Sequence, residues 1–116
     1  MSGSEEEELI QELEQWAGRQ GEILALYLFG SRVTGNTHPG SDVDVAILAR
    51  PDLPRMRLSR LADRWSAEWS RLSTPRVDLS VLNLAPVPFR FEIITRGRLL
   101  WTADLSQVAE FESLTL

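Results

Sequence analysis

Two aspartates set one residue apart, Asp42 and Asp44, lie at the start of the apolar run Val43 to Leu48. An earlier apolar run, Leu26-Tyr27-Leu28-Phe29, stops at the pair Gly30-Ser31, and a ten-residue spacer ending at Ser41 separates the two features. Residues i and i+2 of a strand point to the same face, so both carboxylates should project together. Gly30 lets the chain turn sharply and approach a ligand closely. The Ser31 hydroxyl and the N–H groups after it offer donors at a helix start, an anion site by nature, and Arg32 adds positive charge. A third aspartate, Asp78, stands in another strand-like run, Arg76 to Leu82.

Ionised carboxylates on half-buried strands are costly to desolvate, and three of them together repel. A bound cation relieves both problems. With oxygen ligands and no cysteine, magnesium or manganese is the expected ion. Two such ions roughly 3.5–4 Å apart suit in-line displacement at phosphorus. A bare Asp-x-Asp or Gly-Ser carries little information; the ordered set carries more. The competing structural reading has Ser41-Asp42 capping a turn and Asp44 paired with an arginine.

The elements that must position these groups follow from pattern. Ser4 to Glu7 has the capping-box spacing ahead of Leu9, Ile10, Leu13, Trp16 and Ala17, which repeat with helical period; Gly18 or Gly21 should end that helix. Residues 23–29 are short and continuously apolar, as in a strand buried on both faces. Gly30 to Gly40 reads as turn and loop, with His38 an exposed loop residue. Residues 43–48 form a second strand. Asp52 is placed to cap a helix with Pro54 in its first turn. In that helix Leu58, Leu61, Trp65, Trp69 and Leu72 recur at spacings of three and four, so the tryptophans read as core anchors and the interleaved arginines as a solvated face. Thr74-Pro75 should stop it. A third strand, residues 76–82, a short helix, 88–96, and a short strand, 98–102, follow. The tail from Asp104 has a weak helical pattern.

At 116 residues the chain is expected to be one domain. Its core should span about residues 20–102, with an N-terminal helix over 1–19 and a tail over 104–116. The net charge of −5 argues against a general nucleic-acid surface. All twelve basic residues are arginine, which excludes a lysine nucleophile. The absence of cysteine excludes disulfides and thiolate metal sites and suits a cytoplasmic setting. There is neither a signal-peptide pattern nor an apolar run long enough to span a membrane.

With these residues in place, the chain resembles the nucleotidyltransferase superfamily of DNA polymerase beta, poly(A) polymerases and kanamycin nucleotidyltransferase. Its signature of Gly-Ser, about ten residues and Asp-x-Asp is matched by Gly30, Ser31, Asp42 and Asp44, and Asp78 falls where the third carboxylate is expected. In size and layout the chain is most similar to the minimal nucleotidyltransferase (MNT) proteins. The resemblance covers roughly residues 20–102 and includes Gly97-Arg98-Leu99-Leu100. It implies an α/β (α+β) fold, a nucleotidyltransferase core with a short mixed sheet flanked by helices, and transfer of AMP from ATP to a hydroxyl with release of pyrophosphate. Asp42, Asp44 and Asp78 would bind the metals, Asp78 would also serve the acceptor, and Gly30, Ser31 and Arg32 would hold the triphosphate. It further implies a HEPN-type toxin as partner, an antitoxin role, and a tyrosine of that toxin as acceptor. The short chain agrees, since it leaves little room for an acceptor-binding domain of its own. Tyr27, in a strand expected to be buried, is not expected to be the target. The alternatives are an antitoxin that works by covering its toxin and a small-molecule, aminoglycoside-type nucleotidyltransferase.

Overall fold

The computed structural model describes residues 3–30, 42–72 and 76–116. The elements run α1 (Gly3–Gly18), β1 (Ile23–Phe29), β2 (Val43–Ala49), α2 (Arg55–Leu72), β3 (Val77–Val81), a 3₁₀ turn (Leu82–Leu84), α3 (Val87–Arg96), β4 (Arg98–Thr102) and α4 (Leu105–Thr115). The strands form one sheet in the order β3-β2-β1-β4. β1 is antiparallel to β2 and β4, while β2 and β3 are parallel. A parallel neighbour requires a crossover, and α2 supplies it. This is the mixed sheet flanked by helices that the resemblance implied.

Both central strands are buried on both faces, as a continuous apolar run requires. On one face Leu26, Leu28, Val43, Val45 and Ile47 pack against Leu13 of α1 and Leu58, Leu61 and Trp65 of α2. Trp16 meets the rings of Trp65 and Trp69 edge to face, with centroids 6.2 and 5.6 Å apart. Trp16 Nε1 donates to Glu68 Oε2 at 2.9 Å. The tryptophans are therefore core anchors. The opposite face carries Leu24, Ala25, Tyr27, Ala46 and Leu48, covered by Leu82, Ile93 of α3 and Val108 of α4. A register shift between Ile23 and Ala25 inserts Leu24, so Leu24 and Ala25 both join this face. A bulge of this kind leaves no mark in a run without period.

Two helix starts differ from expectation. α1 is already formed at Gly3, which puts Ser4 inside the helix rather than at its cap. Asp52 does not cap α2: it binds the Arg50 guanidinium through two contacts, 2.8 and 3.2 Å, and the Leu58 N–H is accepted by the Pro54 carbonyl at 3.0 Å. Thr74 and Pro75 lie outside the described residues. The weakly patterned tail is a helix. Asp104 caps it, with Oδ1 accepting from the Gln107 N–H at 3.2 Å. The Tyr27 hydroxyl ties it to β1, donating to Glu112 Oε1 at 2.7 Å. Burial and that carboxylate push the phenol well above its usual range, and the hydroxyl is engaged inside the fold. No helix among the described residues is long and apolar enough to cross a membrane.

Candidate active site

The site gathers at the end of the sheet where β1 stops and β2 and β3 begin. Phe29 is opposite Asp44 in the antiparallel β1–β2 ladder, and Asp44 is opposite Asp78 in the parallel β2–β3 ladder. Directly paired residues share a face, so Phe29, Asp44 and Asp78 form a row across three strands. The Val43 N–H donates to the Arg76 carbonyl at 2.9 Å and fixes the register at the strand entries. Asp42 precedes β2 by one residue, two before Asp44. Asp42 and Asp78 are exposed, and Asp44 is partly buried.

Gly30 closes β1 with φ +75°, a left-handed conformation that disfavours any other residue. A Cβ built there would collide with Asp44 Oδ2 and lie 3.2 Å from its Cγ. The glycine therefore does two things: it turns the chain, and it leaves room for the carboxylate against the backbone. The first was legible in the sequence and the second was not. Ser31 and Arg32, the other predicted triphosphate contacts, lie outside the described residues, as do His38 and Ser41.

The Asp44 carboxyl is held above its usual range, first by burial, then by the charge of Asp78, then by that of Asp42. The fold thus brings Asp78 and Asp42 within electrostatic reach of Asp44. Among the described residues no arginine is paired with Asp44. Among the described residues no three acidic or histidine side chains stand as a ready-made ion cage. The fit to a hard divalent cation rests instead on an oxygen-only donor set and on the mutual repulsion that a cation would cancel.

Beside this row lies a cleft of about 260 Å³, bounded by Phe29, Gly30, Phe89, Glu92, Arg96 and Gly97. The Phe29 and Phe89 rings meet edge to face at 5.5 Å and 86°. Gly97 is held tightly: a Cβ there would strike the Ile93 carbonyl and come within 3.1 Å of the Leu28 carbonyl oxygen. Sequence reasoning placed α3 but missed this cleft. The one available signal was Glu92 and Arg96 at i, i+4, one face of a short helix ending at a glycine.

Comparison with known proteins agrees with this geometry. The family model described as "Polymerase beta, Nucleotidyltransferase" matches residues 11–106. A curated relative, protein adenylyltransferase MntA of Shewanella oneidensis (strain MR-1), is 36% identical over 79 residues, covering 68% of this chain and 54% of the relative. The chain thus spans about half the length of that relative. A solved toxin–antitoxin structure with AMP-PNP is 28% identical, with TM-score 0.64, and covers 94% of this chain and 82% of that one. A second structure, of a tri-AMPylated Shewanella oneidensis HEPN toxin in complex with MNT antitoxin, superimposes with TM-score 0.59 at 23% identity over 93% of this chain and 82% of that one, and supports the fold alone. The family match takes in every strand of the sheet and all three aspartates, and this chain belongs to the polymerase beta nucleotidyltransferase family.

Proposed function

We propose that the chain is a metal-dependent protein adenylyltransferase that transfers AMP from ATP to a tyrosine of a HEPN-type toxin and so acts as its antitoxin in the cytoplasm. The observation that carries this reading is the row formed by Asp44 against Gly30 and beside Asp78. It puts a negatively charged, cation-seeking cluster directly beside a turn suited to phosphate. The relative MntA is named a protein adenylyltransferase, and a similar solved structure is a toxin–antitoxin with AMP-PNP, which support this reading.

In this reading Asp42, Asp44 and Asp78 hold the cation, and Gly30, Ser31 and Arg32 hold the triphosphate. A bound magnesium or manganese ion supplies charge neutralisation at the phosphate oxygens and favours the ionised acceptor hydroxyl. Asp78, exposed on the outer strand of the row, would also accept the acceptor's proton. The tyrosine oxygen attacks the α-phosphorus, the bond from that phosphorus to the bridging oxygen breaks, and pyrophosphate departs with the electron pair. The fixed strands contribute orientation, so the reacting groups need not be gathered at the moment of reaction.

The test is incubation of the folded chain with labelled ATP, magnesium and a HEPN-type partner. Label should appear on a tyrosine of the partner. A partner that stays unlabelled while both proteins are folded and associated counts against transfer.

A further inference from the structure

We propose that the basic pocket where β2 ends and α2 begins is a binding site for a small organic phosphate, separate from the carboxylate row and not dependent on its chemistry. The pocket, of about 310 Å³, is bounded by Arg50 and Pro51 after β2, the first turn of α2, the 3₁₀ turn after β3, Arg90 of α3 and Phe111 of α4. Its size is that of a small-ligand cleft, whose usual range starts at about 300 Å³. The three aspartates stand where β2 and β3 start, and this pocket lies where those parallel strands end. From Asp44 to Ala49 at the pocket wall, β2 runs about 16 Å at the rise of a strand. A ligand of this size cannot occupy both places.

The charge of the pocket runs against that of the chain. The protein carries −5 overall, yet Arg50, Arg55 and Arg90 line this one pocket and, among the described residues, no acidic side chain does. Asp52 pairs with Arg50 at 2.8 Å, so two cationic charges are left over. A phosphate monoester, at about −1.5 to −2 near pH 7, matches them. Among the described residues neither Arg55 nor Arg90 has a hydrogen-bond or ion-pair partner, and the Arg90 Nε is buried without an acceptor. A buried donor left unpaired is costly, and an anion oxygen in the pocket would supply what it lacks. Arg55 also opens α2, an 18-residue helix, whose start carries partial positive charge and free N–H groups. The frame is fixed beforehand. Asn83 Oδ1 accepts from the Ala49 N–H and Asn83 Nδ2 donates to the Ala49 carbonyl, both at 2.9 Å, which locks the 3₁₀ turn to the end of β2. With that amide spent, anion recognition falls to the guanidiniums, whose planar fork suits phosphate. The half-buried Leu53, Leu84 and Phe111 complete the wall and favour an apolar body on the phosphate over a bare ion. The negative charge of the whole chain disfavours a polyanion such as RNA.

The experiment follows the arginine Nε–H resonances of the ¹⁵N-labelled protein in magnesium-free buffer at constant ionic strength, where the aspartate row repels anions. The probes are phenyl phosphate, inorganic phosphate and benzoate. Phenyl phosphate should shift the Arg90 Nε–H resonance saturably, and the other two probes should bind more weakly. Arg90→Gln and Arg55→Gln should each weaken phenyl phosphate about 10-fold, read from the pocket arginines that remain. Arg60→Gln removes the same charge from an exposed position on α2 outside the pocket and should change the affinity less than about twofold. Arg55 is exposed, so its variant stays informative if Arg90→Gln fails to fold. Equal losses in all three variants, or a shift that never saturates, reduce the effect to general charge and overturn the site. Benzoate binding as tightly as phenyl phosphate overturns the phosphate assignment, and inorganic phosphate binding as tightly overturns the organic body. A pocket silent to every probe but shifted by an associated protein overturns the proposal too, and gives this surface to a protein contact.

Discussion

The two faces of the sheet are treated differently by the helices, and the site lies where they differ. On the tryptophan face β2 is covered along its whole length, from Val43 through Val45 and Ile47 to Ala49. On the other face cover reaches Ala46 and Leu48 and then stops, so the next position, Asp44, is only partly buried. One strand therefore serves as core on one side and as a support for carboxylates on the other. Its apolar alternates anchor it rigidly enough to hold like charges together, which loops could not do at the same cost.

The largest effect expected from breaking this division is on chemistry. Asp42→Asn with Asp44→Asn should lower transfer by at least about 10⁴-fold, a loss above about 5 kcal/mol in the transition state, while the melting temperature is kept or raised. Labelled-ATP turnover alongside a thermal melt checks this. Toxin neutralisation that persists in this variant would assign the antitoxin effect to occlusion instead of transfer.

On the covered face the expected effect is on stability. Trp65 is fully buried between Trp16 and the sheet, and Trp65→Ala should cost about 3–5 kcal/mol, read as a lower urea midpoint. Its buried indole N–H has no hydrogen-bond partner among the described residues, so Trp65→Phe should cost much less, because it removes that orphan donor along with the volume. Equal losses for the two variants would mean that the indole is not merely packed.

Gly30→Ala joins the two regions. The left-handed conformation alone costs a non-glycine residue about 1–2 kcal/mol, and the new methyl group must displace the Asp44 carboxylate. The variant should lose stability by about that amount and activity by far more. If activity falls only in proportion to the folded fraction, the contact between Gly30 and Asp44 is not functional.

Which of these features the sequence disclosed follows from the range of the forces that make them. β1 announces itself as a continuous apolar run because both its faces are buried, and β2, β3 and α2 through apolar period, because burial acts on every turn or alternate residue of the element. The pair Asp42 and Asp44 is legible because a two-residue period puts both on one face whatever the fold. Helix starts failed where a local competitor won: Asp52 was taken by the Arg50 guanidinium. α4 looked weak because its order comes from Val108 and from the Tyr27–Glu112 tie, and the tie joins residues far apart in the chain. The Phe29–Phe89 cleft was hidden for the same reason, since only the β1–α3 packing brings those segments together. The contact of Gly30 with Asp44 depends on register, which no single strand encodes.

The smallest expected effect is the most direct measure of the repulsion at the open end. Asp44 titrates above its usual range in the folded protein because of burial and the neighbouring Asp78 and Asp42 charges. Between the unfolded pKa, about 3.9, and that raised value, the folded state binds more protons than the unfolded state. Stability therefore falls as pH rises through this window, and the penalty is complete above it. Asp44→Asn removes the penalty. In metal-free buffer at pH 7 the variant should be more stable by less than about 1 kcal/mol, since the carboxylate is partly exposed and screened, which amounts to a few degrees in Tm. The two proteins should converge below about pH 4. Added magnesium should raise the Tm of the wild type, because binding to the folded state alone stabilises it, and should have little effect on the variant. A variant less stable than the wild type at pH 7 without metal would mean that Asp44 is held by favourable contacts, and that the three carboxylates do not form a site awaiting a cation.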